Sequence, residues 1–176
     1  AKMRAERNQV QVDFRVADVC HLPFDADEFD VVLIESVTNF CDSDAAIAEC
    51  HRVLKEGGVL YDREMMVDAA IPADNLQKLQ HYFRMPQILD REAWLSLLRR
   101  YRFSSGEILE YDRLDPTQIY SDPSGLPAAM GRIDREELND EGVIFDVEIW
   151  ETLHRHDEMI EENIGYLYSG LIRAIK

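Results

Sequence analysis

The strongest constraint on how this sequence can fold is an apolar run followed by a helical pattern, a glycine pair and a second apolar run. Residues 30–34 (DVVLI) are unbroken and rich in β-branched side chains, which predicts a strand covered on both faces. Ser43 is predicted to cap a helix, and Gly57 and Gly58 are expected to end that helix in a left-handed turn. With residues 59–66 as the next strand, this order forms a parallel crossover unit. It predicts an α/β sheet flanked by helices.

The other elements are predicted from the same kinds of pattern. Apolar and polar residues alternate over residues 10–16, which predicts a half-exposed strand that ends at Asp18. Two helices, a strand, a long helix and a closing strand are predicted further along the chain, at residues 76–83, 90–101, 102–111, 149–164 and 166–175. Asp90 is predicted to cap the second of these helices. Residues 112–142 lack periodicity and contain several prolines and glycines. We therefore expect residues 1–176 to form one domain with an irregular insertion, in which substrate selection is expected to reside.

Composition argues against two classes of partner. The chain has 19 basic and 35 acidic residues, and twelve acidic but only two basic residues lie between positions 134 and 162. Such a field repels phosphate backbones, which argues against a nucleic-acid partner. No stretch approaches the roughly 20 apolar residues of a membrane span, and the start lacks the apolar core of a signal peptide. The sequence therefore predicts a cytoplasmic protein without a membrane span.

The cysteines and histidines do not form a metal-binding pattern. Cys20, Cys41 and Cys50 include no CxxC pair, and an odd number of cysteines in a chain of this size favours reduced thiols. The spacing of these residues matches no common zinc site. On a helix, His154 and His156 do not share a face, so they are not expected to bind one ion together. No metal site is predicted.

Two acidic positions fall at the ends of predicted strands. Asp18 ends the strand at residues 10–16, and Glu35 with Ser36 follows residues 30–34. Ligands of α/β sheets bind beyond the carboxyl ends of the strands, at the point where strand order switches. Both positions are therefore predicted to belong to one ligand crevice.

Three blocks of sequence together resemble a known family. They are Asp18 with the LPF sequence at 22–24, the FDVV sequence at 29–32, and the RVLKEGGVL sequence at 52–60. At this spacing the chain resembles class I S-adenosylmethionine-dependent methyltransferases, in particular the methyltransferase type 11 group of ubiquinone and menaquinone biosynthesis enzymes. The resemblance implies S-adenosyl-L-methionine as the cofactor, an unidentified small molecule as the methyl acceptor, and a Rossmann-like sheet with an antiparallel closing strand.

The resemblance also implies roles for individual residues at the adenine end of the cofactor. Asp18 matches the acid whose carboxylate accepts a hydrogen bond from the adenine amino group. Val19 matches the residue whose backbone amide meets the adenine ring, and Leu22 is expected to pack near the base. These residue types suit the task, because a carboxylate accepts from an amine edge and apolar side chains enclose a flat base.

At the methionine end, Glu35 and Ser36 match the segment whose backbone lies beside that part of the cofactor, and Phe40 is expected to cover the reacting end. No catalytic residue is assigned. Methyl transfer from a sulfonium needs a general base only if the acceptor must lose a proton. The candidate bases have no distinguishing context, and they are His21, His81, Glu35 and His154.

The family's nucleotide-binding signature does not occur in the sequence. The first of the eight glycines is Gly57, so no Gly-rich loop precedes Asp18. The resemblance therefore implies a partial sheet that is N-terminally truncated before the third strand, without the first two strands. In the family order 3-2-1-4-5-7-6 this exposes one edge of residues 30–34. We expect that edge either to pair with residues 10–16 or to form a homodimer.

Two functional interpretations stay open on the sequence alone. In one, the chain is an incomplete or weakly active part of a small-molecule methyltransferase. In the other, it is a non-catalytic, methyltransferase-like acidic subunit or interaction scaffold. A nicotinamide-dependent dehydrogenase shares the fold class, but the blocks at 22–24 and 52–60 favour methyltransferases.

Overall fold

The computed structural model describes the backbone of residues 2–115 and 147–176, and the side chains of residues 2–115 and 155–176. Within these ranges four strands form one sheet. The strands are β1 (Phe29–Glu35), β2 (Leu54–Val67), β3 (Ser105–Arg113) and β4 (Leu167–Ile175). The helices are α1 (Lys2–Arg7), α2 (Ser43–Val53), α3 (Ala73–Phe83), α4 (Arg91–Arg100) and α5 (Val147–Asn163), with short 3-10 turns at Thr38–Phe40 and Ile164–Tyr166.

The strand order is β1-β2-β4-β3. The two strands joined by helix α2 run parallel, with Val31 opposite Val59 and Glu35 opposite Arg63. Strand β4 is antiparallel to both β2 and β3. The expected α/β sheet with flanking helices and an antiparallel closing strand is confirmed. Because β1 and β2 are parallel, their carboxyl ends lie at the same edge of the sheet.

Helices α2 and α4 cover one face of the sheet. Ile47 and Cys50 of α2 and Trp94 of α4 are fully buried in one apolar cluster with Leu60 of β2 and Ile172 of β4. A second buried cluster gathers residues of β2, α3, α5 and β4, and its members include Val67, Leu79, Ile160 and Leu167. This packing fixes α2 and the end of β2 relative to each other, and the candidate site lies between them.

Strand β1 is less covered than its sequence predicts. Val32 and Ile34 pack on the first cluster, but Val31 is 50% exposed and Leu33 is 76% exposed. The prediction of a strand covered on both faces is therefore wrong for the described residues. A continuous apolar run signals two covering layers only when a second layer is available, and no described helix packs on this face of β1.

Residues 10–16 do not form the predicted strand. They lie outside every strand of the described chain, and their apolar side chains, Val10, Val12, Phe14 and Val16, are exposed. They do not pair with β1, so the first of the two expected alternatives for that edge is wrong, and the homodimer stays a prediction. Alternation supplies a suitable side-chain pattern, but a strand also needs a partner for its backbone N–H and C=O groups.

The ends of α2 differ from the prediction in two details. Asp42 caps the helix by accepting the Ala45 N–H, and Ser43 is its first residue. The helix ends at Val53, so Gly57 and Gly58 lie within β2 rather than in a helix-ending turn. Gly57 has a φ of +75°, at the point where the register with β1 shifts. Glycine adopts this left-handed conformation without strain.

The remaining predictions concern the later helices and strands, the insertion and the lack of a membrane span. Helices α3 and α4, including the Asp90 cap, and strands β3 and β4 match their predicted elements. The predicted insertion at residues 112–142 lies outside the described residues from position 116 onward. Among the helices that are described, none is long and apolar enough to cross a membrane.

Candidate functional site

Asp18 lies in a tight turn of residues 18–22, called the Asp18 turn here. The Cys20 N–H donates to Oδ1 of Asp18 over 2.9 Å, and the His21 N–H donates to the Asp18 carbonyl over 3.0 Å. The Cys20 bond holds the pKa of the Asp18 carboxyl below its usual range. Oδ2 lies 3.5 Å from Nδ1 of His21, and the side chain is 64% exposed. The turn therefore presents an ionised carboxylate that a ligand can reach.

Helix α2 holds this turn through an ion pair. The Leu22 N–H donates to Glu49 over 2.8 Å, while Arg52 donates to the Leu22 carbonyl over 3.1 Å and to the Phe24 carbonyl over 2.8 Å. Arg52 also pairs with Glu49 at 2.7 Å. The hydrogen bond from Arg52 keeps the pKa of Glu49 low, so the carboxylate remains available to the Leu22 amide. Two side chains thus fix the end of the Asp18 turn.

The loop of residues 36–40 after β1, called the post-β1 loop here, is held from inside the protein. Ser36 adopts a left-handed φ of 54° and donates its N–H to the Arg63 carbonyl over 2.9 Å. Glu64 of β2 accepts the N–H of Val37 over 2.7 Å and the N–H of Thr38 over 2.6 Å, both on Oε1. One buried carboxyl group therefore binds two consecutive backbone amides and sets the path of the loop.

Further buried polar contacts surround this carboxyl group. The Thr38 hydroxyl donates to Oδ2 of Asp62 over 2.6 Å, and the Asn39 side-chain amide donates to the Met65 carbonyl over 2.7 Å. Burial raises the pKa of Asp62 to about 7, against the lowering effect of the Thr38 hydroxyl. Burial also raises the pKa of Glu64, against the backbone N–H groups that stabilise its charge.

The Asp18 turn lies beside residues 41 and 42, which join the post-β1 loop to helix α2. The Cys20 thiol is 3.7 Å from the carbonyl of Asp42, the residue that caps α2. Burial, together with the neighbouring Cys20 thiol, raises the pKa of Cys41 to about 12. The structure therefore places the Asp18 turn next to the chain segment that follows the post-β1 loop.

The six predicted cofactor residues fall into two groups by exposure. Val19 and Leu22 are half-buried, and the others are exposed: Asp18, Glu35, Ser36 and Phe40. Among the candidate bases, His21 lies beside Asp18, His81 is exposed on α3, and the side chain of His154 lies outside the described residues. The described part of the chain contains no group of three or more His, Cys, Asp or Glu residues suited to a metal ion.

Sequence reasoning missed the residues that hold the site in shape. Asp62 and Glu64 lie between Leu60 and Met66 on one face of β2, and all four residues are buried. Two acidic residues at the positions of a strand where buried apolar residues are expected could have indicated this role, because a buried carboxyl group needs specific partners. Arg52 lies within the recognised block at 52–60, but its partners are distant in sequence.

Comparison with known proteins identifies the kind of domain in which this arrangement occurs. Residues 1–62 match a family model described as a methyltransferase domain. Over 109 residues the chain is 28% identical to YodH, an uncharacterized methyltransferase of Bacillus subtilis. Over this part of its length the chain is therefore similar to methyltransferases. The aligned region takes in 62% of this chain and 47% of YodH, so this methyltransferase-like chain spans about half the length of that curated relative.

Solved structures have the same fold. The YcgJ protein of Bacillus subtilis has a TM-score of 0.66 at 17% identity, over 99% of this chain and 76% of that protein. A phosphoethanolamine N-methyltransferase of Haemonchus contortus has a TM-score of 0.63 at 15% identity, over 90% of this chain and 36% of that protein. The latter was solved with phosphomonomethylethanolamine and S-adenosylhomocysteine. At these identities the likeness establishes the fold of the methyltransferase-like chain.

Proposed function

We propose that this chain binds S-adenosyl-L-methionine between the Asp18 turn and the post-β1 loop, as part of an enzyme that methylates a small molecule. One observation carries the proposal. The Asp18 turn is distant in sequence from β1, yet its Cys20 contacts Asp42, which follows the post-β1 loop, near the carboxyl ends of two parallel strands. Ligands of α/β sheets occupy this position.

The residues of the Asp18 turn suit an adenine ring. The ionised Asp18 carboxylate keeps Oδ2 free of any backbone hydrogen bond, so it can accept from the adenine amino group. Val19 and Leu22 are half-buried beside it and offer a backbone amide and an apolar surface. The Glu49 and Arg52 contacts hold Leu22 in place before any ligand arrives, which lowers the entropic cost of binding.

The residues of the post-β1 loop suit the methionine end of the cofactor. Glu35 and Ser36 are exposed where β1 ends, and the left-handed Ser36 turns the chain there. Phe40 is 49% exposed and can cover the reacting end. When bound, the cofactor supplies a sulfonium methyl group for in-line displacement. The protein contributes orientation and exclusion of water.

The activity of the whole protein is part of the same proposal. The acceptor is proposed to be a small molecule and not a nucleic acid, because the acidic composition disfavours a phosphate backbone. We also propose that residues 1–176 act as one methyltransferase-like domain. A cytoplasmic setting is proposed from the free thiols of Cys20, Cys41 and Cys50.

The exposed edge of the sheet supports a second candidate function, as an interaction subunit. Strand β1 pairs only with β2 among the described strands, and Val31 and Leu33 are exposed on it. An edge strand with exposed apolar side chains is a template for pairing with another chain. In this alternative a second copy pairs along β1. Light scattering of the wild-type chain and of Leu33→Lys separates the cases, since a wild-type monomer contradicts the homodimer.

The first test of the proposed cofactor site is calorimetric titration of S-adenosylhomocysteine into the chain and its variants. Asp18→Ala is expected to weaken binding about tenfold or more, because it removes a charged hydrogen-bond acceptor. Asp18→Asn retains a hydrogen-bond acceptor and is expected to lose less affinity than Asp18→Ala. Asp112→Ala is the matched control, since Asp112 is an exposed aspartate of β3 at the other edge of the sheet. Equal affinity of Asp18→Ala and wild type would contradict the proposed role of Asp18.

A further inference from the structure

Two buried carboxyl groups on β2 are not among the residues proposed to contact the cofactor. Asp62 is 0% exposed and Glu64 is 2% exposed, and they project from the same face of the strand. We call these two residues the buried acid pair. Each binds the post-β1 loop, Asp62 through the Thr38 hydroxyl and Glu64 through the N–H groups of Val37 and Thr38.

The hydrogen bonds of the buried acid pair leave one oxygen on each carboxyl group without a partner. Oδ2 of Asp62 and Oε1 of Glu64 accept from the loop, whereas Oδ1 of Asp62 and Oε2 of Glu64 are buried and unpartnered. The two carboxyl groups also interact with each other. A single proton between them would satisfy both orphaned oxygens at once, and buried polar atoms are nearly always satisfied.

In the described part of the chain, no positively charged side chain forms an ion pair with either carboxyl group. The titratable groups that interact electrostatically with the pair are Glu35 of β1, Cys41, and Cys50 of α2. Opposite the pair on β4 are Ile172 and Gly170, which do not titrate. Among the described residues, neither acid takes part in an ion pair. Two adjacent negative charges would therefore repel each other in a poorly solvated site.

The hydrogen bonds indicate which acid holds the proton. Glu64 accepts two short backbone N–H bonds, which favour its ionised form. Asp62 accepts one hydroxyl and lies beside the charge of Glu64. The proton therefore resides mainly on Asp62 and is donated toward Oε2 of Glu64.

We propose that Asp62 and Glu64 share one proton and act as positioning residues for the post-β1 loop, which keeps its binding form only while the pair holds that proton. The consequence for cofactor binding rests on the proposed function of the loop. Loss of the proton places a second charge beside Glu64 and weakens the contacts that fix Val37 and Thr38. Since the pKa of Asp62 is about 7, the loop is expected to loosen as the pH rises through neutrality.

The first arm of the test follows the loop without any cofactor. In proton–nitrogen NMR spectra recorded from pH 5 to 9, the amide resonances of Val37 and Thr38 are expected to shift with a midpoint near pH 7. In Asp62→Asn the shifts are expected to stay constant, because the asparagine amide donates permanently to Glu64. His21→Gln is the control for the exposed imidazole beside the Asp18 turn, and its midpoint is expected to equal that of wild type.

A further variant keeps the proposal falsifiable if Asp62→Asn does not fold. Thr38→Val removes the hydroxyl that stabilises ionised Asp62, so its midpoint is expected to move upward by about one pH unit. Amide resonances that do not shift in wild type, or that shift identically in Asp62→Asn or Thr38→Val, would overturn the shared proton.

The second arm measures S-adenosylhomocysteine affinity between pH 6 and 8.5. The wild-type affinity is expected to fall about tenfold with rising pH, and the affinity of Asp62→Asn is expected to change less than twofold. No binding at any pH, together with the expected amide titration, would contradict the proposed function and leave the shared proton supported. Binding with the same pH dependence in both proteins would overturn the positioning role instead.

Discussion

The two halves of the candidate site are fixed in opposite ways. The Asp18 turn is held by Glu49 and Arg52, whose side chains are 19% and 36% exposed. The post-β1 loop is held by Asp62 and Glu64, which are buried. A partly exposed ion pair competes with water and gains little, whereas removal of a buried carboxyl group leaves the backbone amides that it binds without an acceptor. The loop is therefore the half that tolerates substitution and pH change least.

The largest effect is expected from Glu64→Ala. The substitution leaves the buried N–H groups of Val37 and Thr38 without an acceptor, at an expected cost of about 2–5 kcal/mol in the free energy of unfolding. Urea denaturation measures this directly. Glu110→Ala removes an exposed glutamate that pairs with Arg63, and its expected cost is below about 1 kcal/mol. Similar losses for the two variants would remove the contrast between buried and exposed carboxyl groups.

The next effect concerns pH. Asp62 keeps its proton in the native state up to about pH 7, whereas an unfolded aspartate releases it near pH 4. The native state binds more protons in this window, so the contribution of Asp62 to the free energy of unfolding falls as pH rises from 4 to 7. At about 1.4 kcal/mol per pH unit of pKa difference, the loss is on the order of 2–4 kcal/mol.

Asp62→Asn isolates this contribution. The difference between wild type and variant in urea denaturation is expected to change steadily between pH 4 and 7 and to level off above it. Asp18 and Glu49 have lowered pKa values, so their contributions are lost only as pH falls through the acidic range. A difference that does not vary with pH would show that Asp62 ionises normally in the native state.

The smallest effect is expected on the Asp18 turn. Arg52→Ala removes the donors to the Leu22 and Phe24 carbonyls and frees Glu49, so S-adenosylhomocysteine affinity is expected to fall about three- to tenfold. Calorimetry on folded protein is the measurement. Arg100→Ala is the control, because Arg100 pairs with Asp44 at the other end of α2. A loss as large as that of Asp18→Ala would place Arg52 in direct contact with the ligand.

Much of the fold followed from local patterns. Asp90 was predicted to cap helix α4, and its side chain accepts the Ala93 N–H as expected. The crossover from β1 through α2 to β2 was equally readable, because strand and helix periods differ. The structure of residues 10–16 was not predicted correctly, since an alternating pattern cannot show whether a neighbouring strand is present to pair with the segment.

The sequence by itself determined the resemblance to methyltransferases, the order of elements from β1 onward and the position of Glu35 at the end of β1. These follow from motif spacing and from periodicity, which are properties of neighbouring residues. Only the tertiary structure decided that Glu64 binds the amides of Val37 and Thr38 and that Asp62 lies beside it without a counter-ion. Those contacts join residues more than twenty positions apart, and the energy of a buried charge depends on every group that packs around it.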